Sequence, residues 1–524
     1  MLRPCVVLMA VVSTLTLAAT GRAQQPENAG SSYAGPDPEP AAWPAPTHFI
    51  APDGSDGNAG TSPDAPWGTF PHAIAQLQAG DVLGVMDGMY EPQTTGLIRV
   101  DCTADAAKGT AEAPITVRAV NERQATLQSD GVVPAIYVTG ANYWDLLGLV
   151  AVGADKEAPR GNYNVAGIDN SRFISVKRCV IARANRTGWN ANNQLHSVRY
   201  STDVTVEECE YYAHHRHALS LWKSHNCTAR RNYINPRHHR GPDARGDEAI
   251  VFYQSSWCIA ENNISEGFNL GFQAHGGVTF DGLPGGSFNQ FLGNISIDAY
   301  NATRTDSRLR PHPEIRPAIG NIFRDFLLIR PQRFGIWLSS TTDTVVENAT
   351  VIAGASDGFV ADERGDGPFD QVPGGCSFTL RNSLIVGCEG AGVHTTYPEW
   401  LVDYCVVTGN EGGDFATAGD GEVRHALDLA PTGTGLAEGE CVVYVPVDSP
   451  LKGARADGAD VGANVIYRYV DGRLTDEPLW DPATGEFPHG ATVASISDIA
   501  GDSLFDVHKR LNVNCNGCAL PYVQ

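Results

Sequence analysis

One short pattern returns along most of this chain: an apolar residue, two variable residues, Asn or Cys, one variable residue, then a further apolar or small residue. It reads VKRCVI at Cys179, VEECEY at Cys209, ARRNYI at Asn232, IAENNI at Asn262 and FLGNIS at Asn294. It continues as IFRDFL at Asp325, VVENAT at Asn348, TLRNSL at Asn382 and VDYCVV at Cys405, in steps of 23 to 34 residues, with Gly148 one step ahead of the first. The shortest unit is too small for a strand–helix–strand crossover. It does hold one coil of three short strands, and runs such as GIWLSS and TDVTVEEC alternate with the period of a strand. Coils stacked in parallel bury their inner residues on one another, and small polar side chains at one corner line up to hydrogen-bond between coils. The repeat therefore predicts an all-β chain, a single-stranded right-handed parallel β-helix of about ten coils with an N-terminal cap. At a strand spacing of about 4.8 Å that is a rod of roughly 50 Å. A propeller or sandwich is built from antiparallel hairpins and gives Asn no reason to recur at a fixed offset.

The flanks divide the chain further. Residues 1–23 carry Arg3, an apolar run and a small-residue ending at Ala23, the layout of a signal peptide, and the run is short for a membrane anchor. Residues 24–46 are rich in Pro, Gly and Ala and read as a disordered linker. The β-helix with its cap is expected over 47–465, and 466–524 form a tail of unassigned role. No later segment is apolar over a membrane thickness, so a secreted protein, extracellular or periplasmic, and a monomer is expected. The net charge of −23 argues against a nucleic-acid partner, which requires a basic footprint. Of the 12 cysteines, Cys5 leaves with the signal; some of the rest are candidates for pairing, Cys515 with Cys518 foremost.

A parallel β-helix offers an open sheet face walled by turns, which suits a polysaccharide chain. Aligning first strands on the Ser that ends them, in GIDNS, SVRYS, SLWKS and VFYQS, stacks Ile168, Val198, Leu221 and Phe252 inward. Asp169, Arg199, Trp222 and Tyr253 then form an outward column, and Asn170, Tyr200, Lys223 and Gln254 a second column at the strand ends. Cleavage of a uronate by β-elimination needs a cation at the carboxylate, a base for the C5 proton and an acid for the leaving oxygen. Lys223, Arg199, Tyr253, Tyr200 and His215 are the catalytic candidates on this reading. Trp222 offers a flat face to a sugar ring, and Asp169, Arg245, His239 and His275 are further substrate-binding candidates. The histidines at 214, 215, 217, 238, 239 and 275 read as turn residues clustered along one edge. The segment after Asn294, from Asp298 to Gly320, reads as an insertion forming a groove wall.

Residues 48–92 read strand, turn, helix near Pro71–Gln78, turn, strand, and in APDGSDGNAGT, PW, AI, GD and GMY they closely resemble the opening cap of secreted β-helix polysaccharide lyases. SPLKGARADGADVGA, Ser449–Ala463, resembles the closing segment of the same proteins. LSLWKSHN resembles the Lys-Ser-x-x-Asn segment of polysaccharide lyase family six, which includes alginate lyases and chondroitinase B. That resemblance implies Lys223 as Brønsted base beside a calcium ion. Where the family places calcium-binding glutamates this chain has His215, Arg216, His217 and Ala218, and where it places Arg-His-Gly on the next coil this chain has Tyr253 and Gln254. Two other readings stand beside the lyase. One is a glycoside hydrolase, which needs grouped carboxylates; the other is a non-catalytic glycan-binding surface protein.

Overall fold

Strands follow one another in a three-sheet cycle, so each coil lays one strand on a front sheet, one on a side sheet and one on a back sheet. The computed structural model describes residues 43–102, 109–154, 164–183, 194–212, 216–235, 247–280, 283–306, 317–362, 376–417, 421–425, 445, 449–463, 467–470 and 473–478. The front and back sheets each have 12 strands and the side sheet 14, all parallel within each sheet. The fold is a right-handed parallel β-helix. Twelve levels stand where the repeat suggested about ten. The surplus lies at the ends, in front strands such as Ile98–Asp101 and Phe415–Thr417, where the Asn/Cys pattern is absent. The expected signal, the expected linker up to residue 42 and the candidate pair Cys515 and Cys518 lie outside the described residues; within the tail, Tyr467–Val470 and Arg473–Pro478 pair antiparallel.

At the corner from side to back sheet, two neighbouring columns explain the repeat. One turns outward through the left-handed region: Arg178, Glu208, Arg231, Asn262, Asp325, Asn348 and Asn382 have φ between 52° and 56°, and Gly148 and Gly293 fill the same place at 65° and 62°. Gly and Asn enter that region at least cost. The next residue points inward. There the Cys209 N–H donates to Asn232 Oδ1 at 2.9 Å, Asn232 N–H to Asn263 Oδ1 at 3.0 Å, and Asn263 N–H to Asn294 Oδ1 at 2.9 Å. The side-chain amides donate back to the Val206, Ala229 and Ala260 carbonyls, which satisfies buried groups one coil away. Asn263, not Asn262, is thus the ladder residue, and Asp325, Asn348 and Asn382 belong to the turn column. Both columns favour Asn for different physical reasons, so a pattern of residue types merges them.

At the opposite corner, where the front sheet ends, serines form a second ladder. Ser171, Ser201 and Ser224 N–H groups donate to the hydroxyls of Ser201, Ser224 and Ser255 on the following coil. The buried Cys179, Cys209, Cys227, Cys258 and Cys405 are free thiols whose Sγ atoms lie against carbonyls of their own or the preceding coil. Cys179, Cys209 and Cys405 fill the small space of the Asn column, and Cys227 and Cys258 stand just ahead of side strands.

On the outer side of the side sheet, in-register neighbours alternate in charge. Lys177, Glu207, Arg230 and Glu261 succeed one another, and after Leu292 the column resumes with Arg324, Glu347, Arg381, Asp403 and Arg424. Like charges directly opposite would repel at strand spacing; alternation turns the parallel register into a run of ion pairs. Burial pushes the Glu207 carboxyl up, but Arg231, Lys177 and Arg230 prevail and hold it below its ordinary value.

The N-terminal cap forms as its sequence predicts. Its helix spans Phe70–Gln76, slightly short of the expected end at Gln78 because Leu77 is already extended. Thr69 caps it, and Asp56 accepts from the Gly68 and Thr69 N–H groups and the Thr69 hydroxyl. Phe70 packs on Tyr90, whose hydroxyl reaches the Ile50 and Met86 carbonyls, so the apolar face covers the first coil. The segment 449–463 packs beside the stack: Leu451 and Val461 join Leu384 and Val406 on the back sheet.

Candidate active site on the front sheet

Strand alternation sends one column of side chains outward at the end of each front strand. The observed register places Asp169, Arg199, Trp222, Tyr253, His275 and Asp306 in that column, with Ile168, Val198, Leu221 and Phe252 behind it in the core. The alignment on terminal serines holds over all four of its coils.

At the upstream end the column is electrostatically closed. Arg199 Nε and Nη2 donate to the two Asp169 oxygens at 2.8 and 2.6 Å, and the Tyr137 hydroxyl donates to Asp169 Oδ2 at 2.9 Å. The guanidinium is thereby committed in a bidentate pair. The next corner column contains Asn170, Tyr200, Lys223 and Gln254, with φ from 47° to 55°. There the Lys223 ammonium sits 5.9 Å from the Tyr200 ring centre, and Tyr200 in turn lies 6.1 Å from Trp222. Tyr200 is 48% exposed. Lys223 is a partly exposed cation beside an aromatic strip on the sheet face.

Two coils further on lies a tighter cluster. The Tyr253 and His275 rings are 4.2 Å apart, and His275 Nδ1 is bonded to Asp306 Oδ1. Arg304 Nη2 lies 2.6 Å from Asp306 Oδ2, Gln273 donates to Oδ1 at 3.1 Å, and the Arg304 guanidinium rests 4.0 Å from the Trp337 ring. His217 Nδ1 lies 2.5 Å from Glu248 Oε2 at the start of the neighbouring strands. Burial would raise both carboxyls. In Asp306, Arg304 and His275 outweigh it; in Glu248, His217 and Arg216 do, and both groups end below their ordinary values. The Tyr253 phenol moves the other way, raised by burial and then by the charge of Asp306. Asp247 is pushed up to about 6, first by burial and then by Glu248.

In its neutral form with Nδ1–H turned to the Asp306 carboxylate, His275 would present Nε2 as an acceptor. Tyr253, whose pKa is raised, keeps its proton at neutral pH. The site thus holds an imidazole and a phenol in ring contact.

His275 and His217 lie in strands Leu270–His275 and His217–Trp222, not in the turns to which the sequence assigned them. His215, His239 and Arg245 lie outside the described residues, as do His214 and His238. Asp306, Arg304 and Gln273 escaped selection as site residues. Asn301–Asp306, read as part of an inserted wall, is a front strand paired with Leu270–His275. The alternation in NATRTD was a signal of this. Leu270–His275 runs on into Gly276 and Gly277, and the serine after Asp306, Ser307, stands one residue short of the marker's place, so the alignment had nothing to extend along.

The described donors do not by themselves form the calcium site that the family-six resemblance implies, and His215 lies outside the described residues. Among the described residues no three His, Cys, Asp or Glu side chains are grouped to hold a metal ion, and Asp169, Glu248 and Asp306 are each engaged by Arg or His.

No protein-family model matches the sequence, and no curated protein is significantly similar to it. Solved structures do align with it. A family-six polysaccharide lyase from Pseudopedobacter saltans aligns at 12% identity over 80% of this chain and 98% of its own, with a TM-score of 0.48. Pectate lyase Pel9A aligns at 13% identity over 84% and 94%, with a TM-score of 0.41. An α-1,3-glucanase catalytic unit from Streptomyces thermodiastaticus aligns at 14% identity over 72% and 70%, also at 0.41. Likenesses of this size carry no information on chemistry.

Proposed function

We propose that this chain is an exported enzyme that cleaves an acidic polysaccharide by β-elimination on the front sheet. His275 takes the C5 proton, Tyr253 protonates the leaving oxygen, and Lys223 meets the uronate carboxylate. Asp306 orients His275, and Trp222 and Tyr200 give the sugar rings a flat surface. Arg199, committed to Asp169, shapes the groove rather than binding the carboxylate.

One observation supports this reading above the others: three acids of this face, Asp169, Glu248 and Asp306, are tied to Arg or His, while an imidazole and a phenol stand together in the outward column. A carboxylate held ionised by cations is a poor general acid, whereas His and Tyr are suited to both proton transfers. Calcium has no part in these steps. A second reading, hydrolysis, draws on Asp247, whose carboxyl is pushed up to about 6 beside the lowered Glu248, a split of the kind an acid/base pair uses.

The test is ultraviolet absorbance of unsaturated uronate during incubation with uronate polymers, with and without EDTA. Absorbance should rise equally in both arms with the wild-type chain and fall sharply with Tyr253→Phe. No rise on any uronate polymer would end the lyase reading, and a rise abolished by EDTA would restore the metal.

A further inference from the structure

We infer that the site is restricted to uronates whose C5–H and C4–O bonds lie on the same face of the sugar ring, the gluco and manno configurations. The inference rests on the lyase reading and adds a stereochemical limit to it.

The geometry of one sheet face carries the argument. Tyr253 and His275 are in-register neighbours of a single outward column, with ring centres 4.2 Å apart and planes inclined by 41°. Two groups acting on opposite faces of a pyranose would each stand about 3–3.5 Å from their reacting atoms, with the ring between them, so about 6–7 Å or more must separate them. As in-register neighbours, Tyr253 and His275 rise from one sheet face in the same direction, so a sugar lying on that face meets both groups from the same side. They can address only one of its faces, so the proton removed and the oxygen expelled must both be presented there.

The step balances within the cluster. His275 Nε2 takes the proton from C5, and the C–H electron pair delocalises into the carboxylate, whose charge the Lys223 ammonium offsets. The pair returns as the C4=C5 double bond while the C4–O bond breaks, and the departing oxygen takes the Tyr253 proton. His275 is then protonated and Tyr253 is a phenolate. One proton passing between these neighbours restores both, without a further reactant.

Configuration at C4 and C5 divides the uronic acids on this criterion. In D-glucuronate and D-mannuronate the C5 hydrogen and O4 share a face. In D-galacturonate and L-guluronate they lie on opposite faces, so elimination there needs base and acid on opposite sides of the ring.

The experiment offers the full chain four polymers under identical conditions: β-1,4-glucuronan, polymannuronate, polygalacturonate and polyguluronate, with unsaturated product followed by absorbance. The expected result is cleavage of glucuronan or polymannuronate at rates at least about a hundredfold above the other two, the scale of one lost proton-transfer group. Cleavage of polygalacturonate or polyguluronate at a comparable or greater rate would overturn the stereochemical inference and leave the lyase reading standing. No unsaturated product from any of the four would remove the lyase reading, and the inference with it.

Discussion

His196 lies inside the stack rather than on its face, and its burial makes a quantitative prediction. It is 1% exposed, with Nδ1 2.9 Å from the Tyr211 hydroxyl and its ring against the Tyr211 ring. Burial pushes its pKa from 6.5 down to about 3. The folded chain therefore refuses a proton that the unfolded chain accepts. Stability from this residue is fully present above the unfolded value of 6.5 and is lost as pH falls from there towards 3. At about pH 5 the unfolded histidine is almost wholly protonated and the folded one is not, a difference of about 2 kcal/mol relative to about pH 7.5. Replacing His196 by Gln keeps a side chain able to hydrogen-bond Tyr211 and removes the titration. Urea unfolding of both proteins, followed by tryptophan fluorescence at the two pH values, isolates the term, because the carboxylates titrate alike in both. Wild type should lose about 2 kcal/mol more than His196→Gln over this interval. Parallel losses would refute the reasoning, whatever the absolute stability of the variant.

Further outcomes follow from the same geometry. Val206 is 2% exposed in the core stack, so Val206→Asp should cost at least about 4 kcal/mol and abolish the folded circular-dichroism signal; a soluble, folded variant would contradict the coil register. Glu347 lies between Arg324 and Arg381 in the alternating column, so Glu347→Lys should lower stability by about 3 kcal/mol, partly recovered at high salt, in a denaturation series. Lys223→Ala should leave the fold intact and lower kcat about a hundredfold, and unchanged turnover would remove Lys223 from the mechanism. Tyr253→Phe should lower cleavage by about a hundredfold or more while His275 still exchanges C5 hydrogen for solvent deuterium, whereas His275→Asn should lose both; retained exchange in His275→Asn would assign the base elsewhere.

Much of the fold was legible because a parallel stack writes its register into the sequence. Small residues end the front strands at Ser171, Ser201, Ser224 and Ser255, and counting back two residues from each finds Asp169, Arg199, Trp222 and Tyr253 in a column. The corner with Asn262 and Asn263 was legible only to within one residue, since a left-handed turn and an inter-coil ladder favour the same side chain. The cluster at His275 was harder to read. After His275 the chain continues with Gly276 and Gly277, where a Cβ on Gly277 would lie 2.5 Å from the Gln254 side chain, so the serine marker gives way to glycine. Asp306 stands 31 residues from His275 in sequence yet one strand away in space. Its partnership is a property of the stack, and nothing local in NATRTD announces it. Lys223 is legible in LSLWKSHN and in the serine alignment, whereas the Tyr253–His275–Asp306 group is visible only with three coils superposed.

The central claim is that this face breaks a glycosidic bond by elimination. The direct measurement is the ratio of C4=C5 double bonds to new reducing ends released from a uronate polymer by the purified chain. Elimination predicts one double bond for every new reducing end, with both lost together in His275→Asn. Reducing ends without double bonds would contradict the account and assign the chemistry to hydrolysis through Asp247, and release of neither would leave the face a glycan-binding surface.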